Sequence, residues 1–299
     1  MRKLSFSLAA PFGAFFLTLV VSTIALMAFG SSPTEAYGDM LSHASKLETQ
    51  VDILNRATPF YLSAVAAAIG FRMNLFNIGV EGQYLMGFLF AAQVGGLVSL
   101  PQVLHILVIM LTAMIVSSLY AGLAGILKTT RGVNEVISTI MLNAIAVGGL
   151  IAWLQQEWQG DLGENFSSTS LGTKPIDESG LLPTINGLLE LVTREVGQGK
   201  ELTGMFLIAV LVGVAYYVVL NRTRFGFDLR ASGINPFAAR AGGVPPKRMV
   251  LAAMMLSGAV AGLIGMTELA DTGKFPPDPI QGLGFQGIGV ALLGRNNPG

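Results

Sequence analysis

The sequence contains no cysteine and only two histidines among its 299 residues. Without cysteine the chain forms neither disulfides nor thiolate metal sites. His43 and His105 are far apart and lie in or beside predicted loops, so we expect no histidine-based metal or catalytic centre. Charged residues are also scarce, at 12% of the chain against about 25% in soluble domains. The 18 basic and 18 acidic residues cancel, and nothing indicates a nucleic-acid partner.

Hydrophobic residues make up 52% of the sequence, and 37 residues are glycine. A helix needs about 20 apolar residues to cross a bilayer, so we predict an all-α, polytopic membrane protein with a single membrane domain over residues 1–299. The first apolar run exceeds the core of a cleaved signal peptide and is predicted to be a retained helix. The predicted spans lie near residues 8–30, 57–75, 83–100, 103–127, 136–154, 203–220 and 249–270, and an eighth begins near Phe285.

The distribution of Lys and Arg predicts the orientation, because basic residues near span ends favour the cytoplasmic side. Residues 221–248 carry six basic residues against one acid, Asp228, and are predicted to be cytoplasmic, as is the N-terminus with Arg2 and Lys3. The connection 155–202 carries eight acids against three bases and should lie outside. Its stretch Ile185–Val196 is amphipathic, which indicates a short interfacial helix that either docks a partner or packs on the helix ends.

A polar, glycine-bearing stretch interrupts the apolar pattern between the second and third predicted spans. One interpretation is a cytoplasmic turn in which Arg72 obeys the positive-inside rule. The other is a broken helix, interrupted near Asn77–Gly79, that lines a route through the membrane. On a helix Asn74, Asn77 and Glu81 would share one stripe, and buried polar residues in membranes usually serve function. We therefore favour the substrate pathway.

The end of the chain repeats this arrangement, since the apolar residues from Phe285 to Gly294 run into an Arg/Asn/Gly break. This similarity favours an inverted or internal repeat with broken helices. In the first half the break is followed by two further spans. If the halves are related, we expect the chain to be truncated within its second unit.

The sequence has no G-x-x-x-x-G-K-[ST] motif, so ATP must be bound by a separate subunit and no cofactor is expected. Ion-coupled carriers usually bury several acids or histidines in their spans, whereas here Glu81 is the main candidate. An ion-coupled secondary transporter of a small polar solute is therefore the alternative function.

Four sequence runs together resemble the permeases of bacterial ATP-binding-cassette (ABC) importers for nucleosides and simple sugars, within the branched-chain amino-acid and ribose permease group. The runs are NIGVEGQ at 77–83, RGVNEVISTIMLN at 131–143, GINPFAAR at 233–240 and ALLGRNNP at 291–298. The resemblance covers nearly the whole chain. Members of the group generally continue for about two more spans beyond the last run.

The resemblance implies alternating access in the bacterial inner membrane, with no reaction catalysed by this chain. The implied partners are an ABC ATPase subunit, a second permease subunit, an extracytoplasmic substrate-binding protein and the lipid bilayer. It also implies that a coupling helix docks into the ATPase. The residues assigned to ATPase coupling are Gly233, Asn235, Pro236, Ala238, Ala239 and Arg240, and those assigned to the substrate pathway are Asn74, Asn77, Glu81, Gln83 and Asn143.

Overall fold

The computed structural model describes residues 2–158, 172–186 and 201–299, and every regular element in these ranges is a helix. The predicted all-α class is confirmed for this part of the chain. The predicted interfacial helix at 185–196 falls almost entirely outside the described residues. The α-helices are α1 (Arg2–Ala28), α2 (Pro33–Ala44), α3 (Leu47–Phe71), α4 (Val80–Leu97), α5 (Gln102–Arg131), α6 (Glu135–Ile145), α7 (Ile151–Glu157), α8 (Gly204–Arg222), α9 (Arg224–Ile234), α10 (Pro236–Ala241), α11 (Pro246–Gly262), α12 (Met266–Thr272) and α13 (Leu283–Leu293). A π-helix (Ala146–Leu150) joins α6 to α7, and a short 3-10 helix spans Glu178–Gly180.

Four helical stretches of the described residues are long and apolar enough to cross a membrane. They correspond to the predicted spans 103–127, 136–154, 203–220 and 249–270, so the chain is a multi-pass membrane protein. The other predicted spans fall on α1, α3, α4 and α13. The described parts of these helices are too short or not apolar enough to be identified as spans, so these four spans stay predictions. The four stretches are Gln102–Arg131, Glu135–Glu157, Gly204–Arg222 and Pro246–Thr272.

The first of two compact units lies within Met1–Asp52 and contains α1 and α2. Tyr37 on α2 joins the two helices, because its hydroxyl lies 2.8 Å from Ser22 Oγ and 3.0 Å from Thr23 Oγ1 on α1. Most described side chains of α1 are exposed within this unit. An apolar helix with an exposed surface is suited to a lipid environment.

The second unit is built around α4, in which 14 of the 18 residues are buried. A helix that is apolar on all sides is expected at the centre of a bundle, and α4 contacts α5, α6 and α11. The most extensive helix–helix packing is between α5 and α11, where small residues allow the backbones to meet. A Cβ at Gly258 would collide with Ala121, and one at Gly262 would collide with the Ala113 carbonyl.

Polar contacts hold together the helix ends and loops on the side of the molecule that the charge distribution predicts to be extracytoplasmic. His105, at the start of α5, is fully buried, and its ring nitrogens lie 2.8 Å from Ser179 Oγ and 3.0 Å from the Gly95 carbonyl. Gln155 donates a 3.0 Å hydrogen bond to the Pro276 carbonyl. His105 therefore has a structural role, and no group of three possible metal ligands occurs among the described residues.

Candidate functional site

The helix interruption predicted around Asn77–Gly79 lies between Phe71, where α3 ends, and Val80, where α4 begins. We call residues 72–79 the first break. Asn77 is buried there and makes a reciprocal amide pair with Gln83, with N···O distances of 2.8 and 2.9 Å. The Asn77 amide also donates to Ser257 Oγ at 2.8 Å, and Ser257 donates to the Ala66 carbonyl at 2.6 Å. These bonds connect the first break to α3 and α11.

Asn143 on α6 binds the other side of the first break. Its amide nitrogen donates to the Ile78 carbonyl at 2.7 Å, and its oxygen accepts from the Gly82 amide at 2.9 Å. A Cβ at Gly82 would lie only 3.0 Å from the Asn143 oxygen, so glycine allows this close approach. The broken backbone is thus satisfied by side chains from neighbouring helices, as non-helical backbone at membrane depth requires.

Glu81 lies in the first turn of α4, and its side chain reaches the N-terminus of α13, some 200 residues away in sequence. Its two carboxylate oxygens accept hydrogen bonds from the backbone amides of Gly282 at 2.6 Å and Gly284 at 2.8 Å. Tyr84 also donates to this carboxylate at 3.2 Å. A negative group at a helix N-terminus is electrostatically favourable. Glu81 therefore acts as a tertiary cap for α13.

Arg72 binds just beyond the other end of α13. Its guanidinium donates to the Asn296 carbonyl at 2.8 Å and to Tyr216 at 3.3 Å. A cation near the C-terminus of a helix complements the helix dipole. On an unbroken helix Arg72 and Glu81 would face opposite ways, but the break lets them bind the two ends of the same short helix. The two similar breaks of the chain therefore contact each other directly.

Asn74, Asn77 and Glu81 were expected to share one helical stripe, but Asn74 and Asn77 lie in the non-helical first break. Asn77, Glu81, Gln83 and Asn143 are buried, with exposed fractions of 7% or less, and their side chains bond to protein groups. Asn74 is exposed instead and adopts a left-handed conformation with φ 54°. In this conformation the four buried residues hold helices together, and a substrate could reach them only if the network opened. Their assignment to the pathway stays a prediction.

The second candidate region is the coupling segment, residues 221–248. Asn235 ends α9 and caps α10, because its side-chain oxygen accepts from the amides of Phe237 and Ala238 at 3.0 Å each. Pro236 occupies the first turn of α10, where its missing N–H costs nothing. A short helix is therefore present at the residues assigned to the coupling helix.

The coupling segment exposes apolar side chains that the sequence reasoning did not single out. Phe237 is 85% exposed and Ile234 is 81% exposed, and Arg240 is exposed next to them. Of the residues assigned to ATPase coupling, Ala238 is exposed, whereas Ala239 is buried. The available signal was the presence of aromatic residues in a basic loop, of which Phe227 and Phe237 are exposed, since aromatic residues often anchor interfaces.

Gly233 lies on the inner side of the coupling segment, against the first break. A Cβ at Gly233 would lie 2.6 Å from the Met73 Cα, so only glycine permits this packing. Asn74 donates a 2.9 Å hydrogen bond to the Gly233 carbonyl. The coupling segment is therefore in direct contact with the first break through Gly233.

Comparison with known proteins identifies the family. The model of the permease component of branched-chain amino acid transport systems matches residues 50–299. The chain belongs to this family. The permease is 30% identical to the guanosine ABC transporter permease protein NupP of Bacillus subtilis, over 99% of this chain and 82% of the relative.

Two further relatives cover a similar share of the permease. The glucose ABC transporter permease protein TsgB13 of Haloferax volcanii is 34% identical over 93% of this chain and 72% of its own length. The nucleoside ABC transporter permease protein NupB of Lactococcus lactis is 28% identical over 96% and 78%. No solved structure matches. The predicted function as a membrane permease subunit of the ABC type is confirmed, and nothing in these comparisons favours the ion-coupled alternative.

Proposed function

We propose that this permease imports nucleosides or simple sugars across the bacterial inner membrane. The proposal is supported by relatives whose names specify guanosine, nucleosides and glucose. The permease itself would catalyse no reaction and hold no cofactor. ATP would be hydrolysed by a separate ABC ATPase subunit, and substrate would be delivered by an extracytoplasmic binding protein to a pair of permease subunits that alternate in access.

The structural observation that supports coupling to a separate ATPase is the arrangement of the coupling segment. Phe237 and Ile234 are exposed on its outer side, while Gly233 on its inner side contacts the first break. Exposed apolar side chains within a basic loop are suited to docking on another protein. A movement of the docked α10 would reach Asn74 through its hydrogen bond to Gly233. Coupling would therefore pass from the ATPase to the polar network that holds α4 and α13.

The coupling proposal is tested by co-purifying the ATPase with variants of the full permease. Phe237→Ala should reduce ATPase association by roughly tenfold or more, since losing an aromatic anchor at an interface costs about 2 kcal/mol. Phe29→Ala is the matched control, because Phe29 is also a highly exposed phenylalanine but lies outside the coupling segment, just after the end of α1. Equal association of the ATPase with both variants and the wild type would refute this docking surface.

We also propose that α1, α3, α4 and α13 enter the membrane, giving about eight membrane segments with a cytoplasmic N-terminus and a repeated internal arrangement. The support is that α4 and α13 each begin beside a glycine and that their first turns meet at Glu81. Short helices with buried ends are tolerated at membrane depth when side chains satisfy their termini.

The pathway assignment of Asn77, Glu81, Gln83 and Asn143 is a proposal that requires a second conformation, in which α4 separates from its partners and exposes these side chains.

The importer proposal is tested by uptake into reconstituted vesicles. Vesicles that contain the permease, the ATPase and the binding protein should take up labelled guanosine only when ATP is present. An excess of unlabelled nucleoside should compete with the labelled guanosine. If the substrate is a sugar, the same vesicles should instead take up labelled glucose and not guanosine. Uptake that continues without ATPase but follows an ion gradient would overturn the importer proposal.

A further inference from the structure

Helix α13 begins near the middle of the membrane and not at one of its surfaces. The depth follows from α5, which forms the span Gln102–Arg131. Ser117, at the middle of this span, donates a 2.6 Å hydrogen bond to the Gln83 carbonyl in the first turn of α4. The backbone of Gly284 lies against the same turn, because a Cβ on Gly284 would be 2.4 Å from the Glu81 nitrogen. The start of α13 is therefore at about the depth of Ser117.

A second membrane span gives the same depth. Asn143, near the middle of Glu135–Glu157, accepts a 2.9 Å hydrogen bond from the Gly82 amide. A span of 30 residues, such as α5, is about 45 Å long, whereas the hydrocarbon of a bilayer is about 30 Å thick. Residues at the middle of such a span lie roughly 15 Å from either polar surface. The segment just before α13 and its first turn are therefore at membrane depth.

Two glutamines are exposed at this depth. Gln281 directly precedes Gly282, whose amide donates to Glu81 at 2.6 Å, and Gln286 lies in the first turn of α13. Both residues are exposed, and no hydrogen bond joins either side-chain amide to another described residue. An amide without a hydrogen-bond partner is costly in hydrocarbon. This surface is therefore unsuited to contact with lipid tails.

The exposed surfaces of other spans differ from the start of α13 at a similar depth. Ile115 and Leu119, on either side of the middle of α5, are 55% and 59% exposed. Leu211 and Val214 are likewise exposed near the middle of α8. Aliphatic side chains at the centre of a membrane helix are favourable in lipid. These spans can face lipid, whereas the exposed amides of Gln281 and Gln286 require water or a polar partner.

We propose that Gln281 and Gln286 line the aqueous route of the substrate and hydrogen-bond to its hydroxyl groups. The inference rests on the proposed import of nucleosides or simple sugars, which are neutral and carry several hydroxyl groups. A side-chain amide has two donors and an acceptor, so it can bind a hydroxyl in either sense. Transporters commonly place their substrate beside a helix that begins within the membrane.

This route also gives Glu81 a role in transport. Its carboxylate binds the amides of Gly282 and Gly284, which fixes the start of α13 between the two glutamines. Glu81 would therefore be a positioning residue that does not itself contact the substrate. The route along Gln281 and Gln286 does not require the buried network to open.

Whether this surface is aqueous is tested with Gln281→Cys and Gln286→Cys, since the chain has no native cysteine. The full permease with its ATPase is treated with a small charged methanethiosulfonate reagent, in intact cells and in inverted vesicles. Both cysteines should react from at least one side of the membrane, because the reactive thiolate needs a polar environment. Leu119→Cys is the matched control, because Leu119 is exposed at a similar depth on an apolar surface, and it should react from neither side.

Contact with the substrate is tested by protection and by uptake. The substrate that the wild type imports, guanosine or glucose, should slow the modification of both cysteines. In reconstituted vesicles Gln286→Leu should lower the rate of ATP-driven uptake roughly threefold to tenfold, because one neutral hydrogen bond is lost. Gln286→Asn should retain part of this rate. Both variants should unfold at the wild-type temperature, since the Gln286 side chain has no hydrogen bond to a described residue.

Four results would overturn the proposal. The first is no modification of either cysteine from either side. The second is cross-linking of Gln286→Cys between two permease copies without modification, which would show that a second subunit covers this surface. The third is equal modification of Leu119→Cys, and the fourth is wild-type uptake in both Gln281→Leu and Gln286→Leu. Failure of the importer proposal is distinguishable, because wild-type uptake would then be independent of ATP.

Discussion

Replacing Glu81 tests whether the carboxylate caps α13. In Glu81→Ala the amides of Gly282 and Gly284 lose their acceptors, which lie at 2.6 and 2.8 Å in the wild type. A buried donor left without a partner costs about 1–3 kcal/mol, so the free energy of unfolding should fall by about 2–6 kcal/mol. Glu81→Gln keeps one acceptor oxygen but loses the charge at the helix N-terminus, and should cost about 1–4 kcal/mol.

The assay is thermal unfolding of the purified permease in one detergent. The order of unfolding temperatures should be wild type, then Glu81→Gln, then Glu81→Ala. Glu157→Gln serves as control, because Glu157 is an exposed carboxylate at the end of α7. This variant should unfold at the wild-type temperature. If both Glu81 variants unfolded at the wild-type temperature, the capping role would be wrong. A loss of uptake without a loss of stability would instead favour direct contact between Glu81 and substrate.

Three further predictions use the same unfolding assay. Asn77→Leu should lose at least about 3 kcal/mol because several buried partners become unsatisfied, whereas Asn221→Leu, at an exposed helix end, should change little. Gly287→Ala should strongly destabilise the permease, because the new Cβ would collide with the buried Ser63. Gly289→Ala should leave the stability unchanged, because a Cβ there meets no atom within 4 Å. Equal effects of the two variants would contradict the packing of α13. Arg72→Gln should destabilise the end of the chain by about 1–3 kcal/mol, and an unchanged unfolding temperature would contradict its contact there.

Local features of this permease were predictable from sequence because their causes are local. The cap at Asn235 depends on amides only two and three residues ahead, and Pro236 fits the first turn that follows. The span Gln102–Arg131 was predictable because its apolar run alone is long enough to cross a membrane. The break was predictable near Gly79 because polar residues interrupt an apolar pattern there.

The contacts of the break were not predictable, because they join residues distant in sequence. Hydropathy identifies Glu81 and Arg72 as costly inside a membrane, but it does not reveal that both bind around α13. Periodicity placed Asn74 on the same stripe as Asn77, and the left-handed conformation of Asn74 removes it from that stripe. A helical stripe persists only while the backbone continues as a helix.

Single cysteines test the central claim that the coupling segment lies in the cytoplasm and docks the ATPase, and the chain contains no native cysteine that would interfere. Lys174→Cys and Phe237→Cys are suitable because both positions are exposed. In intact cells an impermeant maleimide should label Lys174→Cys and spare Phe237→Cys. In inverted vesicles Phe237→Cys should be labelled, and added ATPase should protect it. Labelling of Phe237→Cys from outside, or full labelling in the presence of bound ATPase, would contradict the account.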